Sequence, residues 1–132
     1  LLPQVIAKDA NQIVGYALAM DKSLENEVEV LKPMFEILKK INWKGKKLYD
    51  SKFYVMGQVC IHKDYRKKGF FKKLYEKHIE IFKDQFEVCI TEISSKNIRS
   101  MNAHYAVGFD LIRNYFDGLE DWNIVALDLR NT

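Results

Sequence analysis

Cysteine, histidine, proline and glycine are all scarce in this chain, and each scarcity removes a class of protein. Two cysteines, Cys60 and Cys89, cannot frame a disulfide scaffold in 132 residues. With no C-x-x-C spacing and three histidines, a structural metal site is not expected. Each cysteine lies inside an apolar run and reads as a small buried residue of a reduced, cytoplasmic protein. No Gly/Ser/Pro-rich linker, internal repeat or low-complexity tract divides the sequence, so one domain over 1–132 is expected. No apolar run approaches the roughly 20 residues of a membrane helix, and no signal peptide is visible. Leu1 is not a methionine, and the sequence enters strand-like residues at once, so a natural N-terminal segment is expected to be missing. Neither sign of charge dominates: the net charge is +3, and where the lysines cluster matters more than their number. What is abundant is hydrophobic residue, 48% beside 30% charged, which excludes a disordered chain.

The apolar pattern predicts the order β-β-α-β-α-β-α-β-β. Gln4 to Lys8 and Ile13 to Met20 read as a hairpin around Asp9-Ala10-Asn11-Gln12. Asp21 to Glu29 reads as a loop. Leu31, Met34, Phe35, Leu38 and Ile41 recur at helical spacing, with Pro33 suited to the first turn. Trp43 to Lys52 reads as a basic connection. Phe53 to Ile61 is nearly continuously apolar, as in a central strand covered on both faces. Phe71, Leu74, Tyr75, His78, Ile79 and Phe82 form one face of an amphipathic helix whose other face carries lysines and glutamates. Phe86 to Ile93 reads as a strand and Asn97 to Val107 as a helix capped by Gly108. Leu111 to Phe116 and Trp122 to Leu129 make a closing hairpin. Strand, helix, strand in the middle implies a parallel crossover, hence an α/β protein with a mixed sheet.

The junction from His62 to Lys72 is the most informative segment. It joins a strand to the start of a strong helix, where free backbone N–H groups and the helix dipole attract anions. Gly69 lets the backbone turn, and Lys63, Arg66, Lys67, Lys68, Lys72 and Lys73 surround it. These features suit a polyphosphate, or equally a solvated basic turn. The Walker A ending and the Rossmann glycine triplet are both absent. A nucleic-acid surface with Phe70 and Phe71 as stacking residues is the weaker reading, because Phe71 fits the helix core and no basic stripe continues elsewhere.

Strand, then Arg66-x-x-Gly69-x-Phe71, then a long amphipathic helix resembles the acetyl-CoA-binding segment of the GNAT superfamily of N-acetyltransferases. Phe71 stands where that motif usually ends in a small residue. Downstream, Asn97-x-x-Ser100, His104 and Gly108-Phe109 resemble a second GNAT pattern, with Asn97 and His104 seven residues apart. The resemblance runs from about Gln4 to Leu129. It implies a mixed, mostly antiparallel sheet with a central parallel crossover and flanking helices, preceded in the family by one strand and usually two helices. It further implies acetyl-CoA as co-substrate and no metal. Backbone groups of Val59, Cys60 and Ile61 would face the pantetheine arm, with the Val59 and Ile61 side chains in the core. Arg66 and the amides of Lys67, Lys68, Gly69, Phe70, Phe71 and Lys72 would surround the pyrophosphate, and Asn97 would bond the cofactor near its pantetheine portion. The acceptor would be a small-molecule or peptide amine, with no nucleic-acid or membrane partner, and a homodimer would be a family-level expectation.

Two side chains are candidates for the proton transfers of amide formation. Glu92 follows Val88 and Ile90 on one strand face, where burial raises a carboxyl toward useful basicity. The resemblance places it where one branch of the family, typified by ribosomal-protein alanine acetyltransferases, carries its base. The alternative is a salt-bridged strand-end glutamate. His104 shares a helix stripe with Asn97, beside an apolar stripe of Ile98, Met101 and Tyr105. It stands where many relatives have an acid tyrosine. The alternative is a hydrogen-bonded surface histidine. His62 and His78 read as structural. The expected activity is direct transfer of acetyl from acetyl-CoA to an amine, and a GNAT-fold sensor that binds acyl-CoA without turnover is the other reading.

Overall fold

A computed structural model describes residues 2–131, so Leu1 and Thr132, the two ends of the expected 1–132 domain, lie outside the described residues. The strands are β1 (Val5–Asp9), β2 (Gln12–Asp21), β3 (Asn42–Trp43), β4 (Lys46–Lys47), β5 (Phe53–Ile61), β6 (Val88–Ser94), β7 (Asp110–Phe116) and β8 (Asp121–Asp128). The α-helices are α1 (Lys32–Leu38), α2 (Phe70–Phe82) and α3 (Ile98–Ala106). Six strands form a mixed sheet in the order β1-β2-β5-β6-β8-β7. Only β5 and β6 pair in parallel, joined by the α2 crossover, as the strand–helix–strand pattern implied.

Each face of the sheet carries its own core. Tyr54, Met56, Cys89 and Ile93 pack under α2 and α3 with Tyr75, Phe82, Met101 and Phe109. Phe53, Val55, Val88, Ile90 and Ile124 pack on the other face against Met34, Phe35 and Leu38 of α1. The run Phe53–Met56 is therefore apolar at every position, because alternate side chains serve opposite layers. That double coverage stops at Met56. Gly57, Gln58 and Cys60 are exposed, and Val59 and Ile61 are partly so. The reading of Phe53 to Ile61 as covered throughout, and of Cys60 as a buried thiol, is corrected here; Cys89 is buried as expected.

The reason lies in the ladders. β5 pairs with β6 only at Phe53–Val88, Tyr54–Cys89 and Val55–Ile90. Against β2 its register slips between Leu18 and Ala19, which places Gly57 as the extra residue of a bulge. A Cβ at Gly57 would sit 2.7 Å from the Met20 methyl, so the position accepts only glycine without displacement of that side chain. Beyond the bulge β5 keeps β2 as a neighbour and loses β6, and the sheet opens into a fork.

The segment read as a basic connection holds the small hairpin β3–β4, turned by Lys44 and Gly45 at positive φ. Two-residue strands have no alternation to read. The hairpin is tied to the main sheet by ion pairs from Lys44 to Asp128 and from Lys46 to Glu87.

Candidate active site

Where β5 and β6 part, Thr91 Oγ1 donates to the Met56 carbonyl at 2.8 Å and closes the apex of the fork. Beyond it the free edge of β5, the loop into α2 and one face of α3 enclose a cleft of about 490 Å³. Val59, Cys60, Ile61, Arg66, Lys67, Gly69, Phe70, Phe71, Lys72 and Asn97 line it. Ten of the eleven residues expected at a cofactor are thus brought together, and Lys68 is the one that does not line the cleft. Lys68 instead lies over the Tyr65 ring, 5.5 Å from its centroid. Tyr65, Arg99, Ser100, Ala103, Ala106 and Val107 complete the lining. Of these the sequence pattern marks only Ser100, in Asn97-x-x-Ser100, yet Ala103, Ala106 and Val107 follow it at helical spacing, which is the available signal.

The loop is turned by two left-handed residues. Gly69, the residue before α2, is left-handed at φ 83, and Lys67 is also left-handed at φ 64. A lysine in that region is uncommon and costs conformational energy, which is characteristic of sites where geometry serves a ligand. Tyr65 donates to Asp9 Oδ2 at 2.7 Å and stacks edge-on with Phe70, pinning the loop to the β1–β2 turn. Arg66 Nε donates to the Ile61 carbonyl at 3.3 Å. His62 Nδ1 accepts from the Asp64 amide at 3.2 Å, the structural part expected of it. Phe71, in place of a small residue, turns its ring onto Tyr75 and His104. Asn97 Oδ1 accepts from the Ser100 amide at 3.1 Å and so caps α3; its side-chain NH2 is the group left for a ligand.

His104 does not sit as the sequence suggested. It is 4% exposed and does not line the cleft. Its Nδ1 lies 2.8 Å from the Ser100 carbonyl and therefore carries the proton, and its Nε2, 3.0 Å from the Tyr75 hydroxyl, accepts. Burial holds its pKa below the ordinary histidine range. In this arrangement Nε2 has no proton to give and Nδ1–H is committed to backbone. Ile98 and Tyr105, expected in the core, are 63% and 43% exposed. The inward face of α3 is Met101 and His104, so the helix is rotated relative to the sequence reading. The cause is Phe109, which packs edge-on against His104 and Tyr75 and fixes which stripe faces inward.

Glu92 lies one residue past Thr91, on the α1 face that also carries Val88 and Ile90. It is half-buried, and burial pushes its carboxyl up to about 7. Asp117 adds to the rise, and a hydrogen bond from the Tyr115 hydroxyl to Oε2 opposes it. A carboxyl poised near neutrality can take a proton from an ammonium and release it again. No salt bridge forms on it among the described residues.

The protein is an α/β fold with a forked mixed sheet, a basic, glycine-turned loop on one side of the fork and a carboxyl raised by burial next to its apex. The model of the acetyltransferase (GNAT) family matches residues 2–109, and the chain belongs to that family. No curated protein sequence matches it significantly. Its fold is similar to that of the ribosomal-protein alanine N-acetyltransferase of Escherichia coli, at 16% identity over 96% of this chain and 69% of that one, with a TM-score of 0.61. It is similar to yncA of Salmonella typhimurium, solved with its cofactor acetyl-CoA, at 18% identity over 94% and 62%, TM-score 0.63. A spermidine N-acetyltransferase chimera from Vibrio cholerae SpeG and hSSAT gives 12% identity over 97% and 68%, TM-score 0.64. The chain thus spans about two thirds of the length of these proteins. No helix among the described residues is long and apolar enough to cross a membrane.

Proposed function

We propose that the chain is one GNAT-like acetyltransferase domain that transfers an acetyl group from acetyl-CoA directly to an amine. The observation that carries this reading is the fork: β5 has a free edge past Val55, and that edge leads straight to the left-handed basic loop at Gly69. Backbone groups of Val59, Cys60 and Ile61 suit an extended amide-bearing arm that lies along them as a strand would. Arg66, Lys67, Gly69, Phe70, Phe71 and Lys72 suit a pyrophosphate through backbone N–H groups and positive charge. Lys68 contributes long-range charge from outside the cleft, and the Asn97 NH2 group suits the arm. Bound acetyl-CoA supplies the acyl group as a thioester.

Glu92 serves as the base. It takes one proton from the incoming ammonium, the nitrogen–carbon bond forms as the carbon–sulfur bond breaks, and a second amine proton ends on the sulfur. No step is assigned to His104, whose ring nitrogens are both engaged. The acceptor is a small-molecule or peptide amine, in line with the names of the spermidine and ribosomal-protein enzymes of similar fold. Two free thiols, one of them exposed, suit a reducing compartment such as the cytoplasm. A second reading, acyl-CoA binding without turnover, is favoured by the burial of His104 at the position where relatives carry an acid. Thiol release from acetyl-CoA, followed with spermidine and with a peptide bearing a free N-terminal alanine, separates the two. Amine-dependent release supports transfer, and calorimetric binding of CoA without release supports the sensor.

A further inference from the structure

We infer that Tyr115 is a positioning residue for Glu92: its hydroxyl reaches from β7 to Oε2, fixes the carboxyl beside the fork and leaves Oε1 for an amine. This rests on the reading of Glu92 as the base. The register shows how the contact arises. Glu92 on β6 opposes Ile124 on β8, and Ile124 opposes Arg113 on β7, so all three share one sheet face. Tyr115 is two residues along β7 on the same face, and its ring spans the width of β8 to reach the carboxyl. Of the two carboxyl oxygens of Glu92, only Oε2 takes a hydrogen bond among the described residues.

The groups around Glu92 divide cleanly by sign of effect. Ile124 and, from α1, Met34, Phe35 and Leu38 present apolar surface on this face, which disfavours a charged carboxyl. Asp117, in the β7–β8 turn, is held as an anion by the amides of Leu119 and Glu120 and by Trp122 Nε1, and it disfavours the charge further. Arg113 is exposed on the same face of β7. Among the described residues Tyr115 is the one group that bonds the carboxylate directly. Burial and the neighbouring carboxylates hold the Tyr115 hydroxyl well above the ordinary tyrosine range, so it stays a donor at every working pH. Burial is the main cause of the raised carboxyl, and the one hairpin supplies both the group that orients Glu92 and, in Asp117, a charge that adds to the rise.

The test is a carbon-13 NMR titration of the Glu92 side-chain carboxyl in the whole chain, assigned by its loss in Glu92→Gln, with folding of each variant checked by thermal denaturation. Tyr115→Phe keeps the ring and removes the bond. The wild-type carboxyl should titrate near 7, and Tyr115→Phe should titrate roughly half to one pH unit higher, since a donor to the charged form is lost. The acidic limb of turnover with spermidine should move up by the same amount. A role in packing alone moves neither. An unchanged midpoint in folded Tyr115→Phe overturns the proposal while leaving Glu92 as base. Full turnover in Glu92→Gln overturns the reading of Glu92 instead, whatever the titration shows.

Discussion

Thr91 bonds the Met56 carbonyl across the last point at which β5 and β6 are close, and the cleft begins immediately beyond that bond. Thr91 is buried, so its replacement by valine keeps the shape and strands a buried acceptor. Thr91→Val should destabilise the fold by about 1–3 kcal/mol. Urea denaturation reads that loss directly, and an unchanged midpoint would mean that the bond does not hold the fork.

Gly69 offers a cleaner test of the cofactor loop. Beyond its two chain neighbours, no atom lies within 4 Å of a Cβ built there, so the cost of a side chain in the free protein is the strain of φ 83. Gly69→Val should weaken CoA binding by about 1–3 kcal/mol if one or two charge-assisted hydrogen bonds are lost. Calorimetry on the folded variant decides it, and wild-type affinity would take the pyrophosphate away from this loop.

The rotation of α3 reverses which of two neighbours matters for stability. His104 is packed edge-on against Phe71, Tyr75 and Phe109 and bonded at both nitrogens. His104→Ala should destabilise by roughly 2–4 kcal/mol through lost packing and an unpaired Tyr75 hydroxyl. Tyr105→Ala, at a position 43% exposed, should cost less, about 1 kcal/mol or under. Chemical denaturation of both variants checks the orientation, and the opposite ranking would turn the helix back.

Glu92 and His78 should tilt the stability curve in opposite directions. The Glu92 carboxyl is higher folded, at about 7, than in an unfolded chain, so the native state favours its protonated form. Its contribution is complete below the unfolded value and fades as pH rises through 7. Glu92→Gln should therefore be more stable than wild type at pH 8, by on the order of 1 kcal/mol after solvent screening, and nearly equal at pH 4. Burial pushes His78 down to about 4, so its contribution is present above the unfolded histidine value and is lost as pH falls toward 4. Thermal denaturation of wild type and His78→Phe across pH 4–8 should show the wild type losing more stability on the acid side.

The strong helix and the central crossover were legible because Phe71 to Phe82 keeps one apolar period over three turns, and a continuous apolar strand precedes it. The turn at Gly69 was legible because a glycine among cations at a strand–helix junction has a direct conformational meaning. The fork was not: the bulge at Gly57 and the end of pairing at Val55 depend on β2 and β6, and Cys60 looks no different in sequence from a buried thiol. The orientation of α3 depends on Phe109 and Tyr75, which lie outside the helix. The Tyr115–Glu92 contact joins residues 23 apart through a sheet order that no local pattern encodes.

The central claim is amine-dependent acetyl transfer with Glu92 as base, and the most direct measurement is thiol release by wild type and Glu92→Gln from acetyl-CoA with spermidine or an alanine-terminated peptide. Wild type should release thiol only when the amine is present, and Glu92→Gln should fall by roughly 10²–10⁴ with CoA affinity nearly intact. Wild-type rates in folded Glu92→Gln, or CoA binding with no release for any amine, would contradict the account.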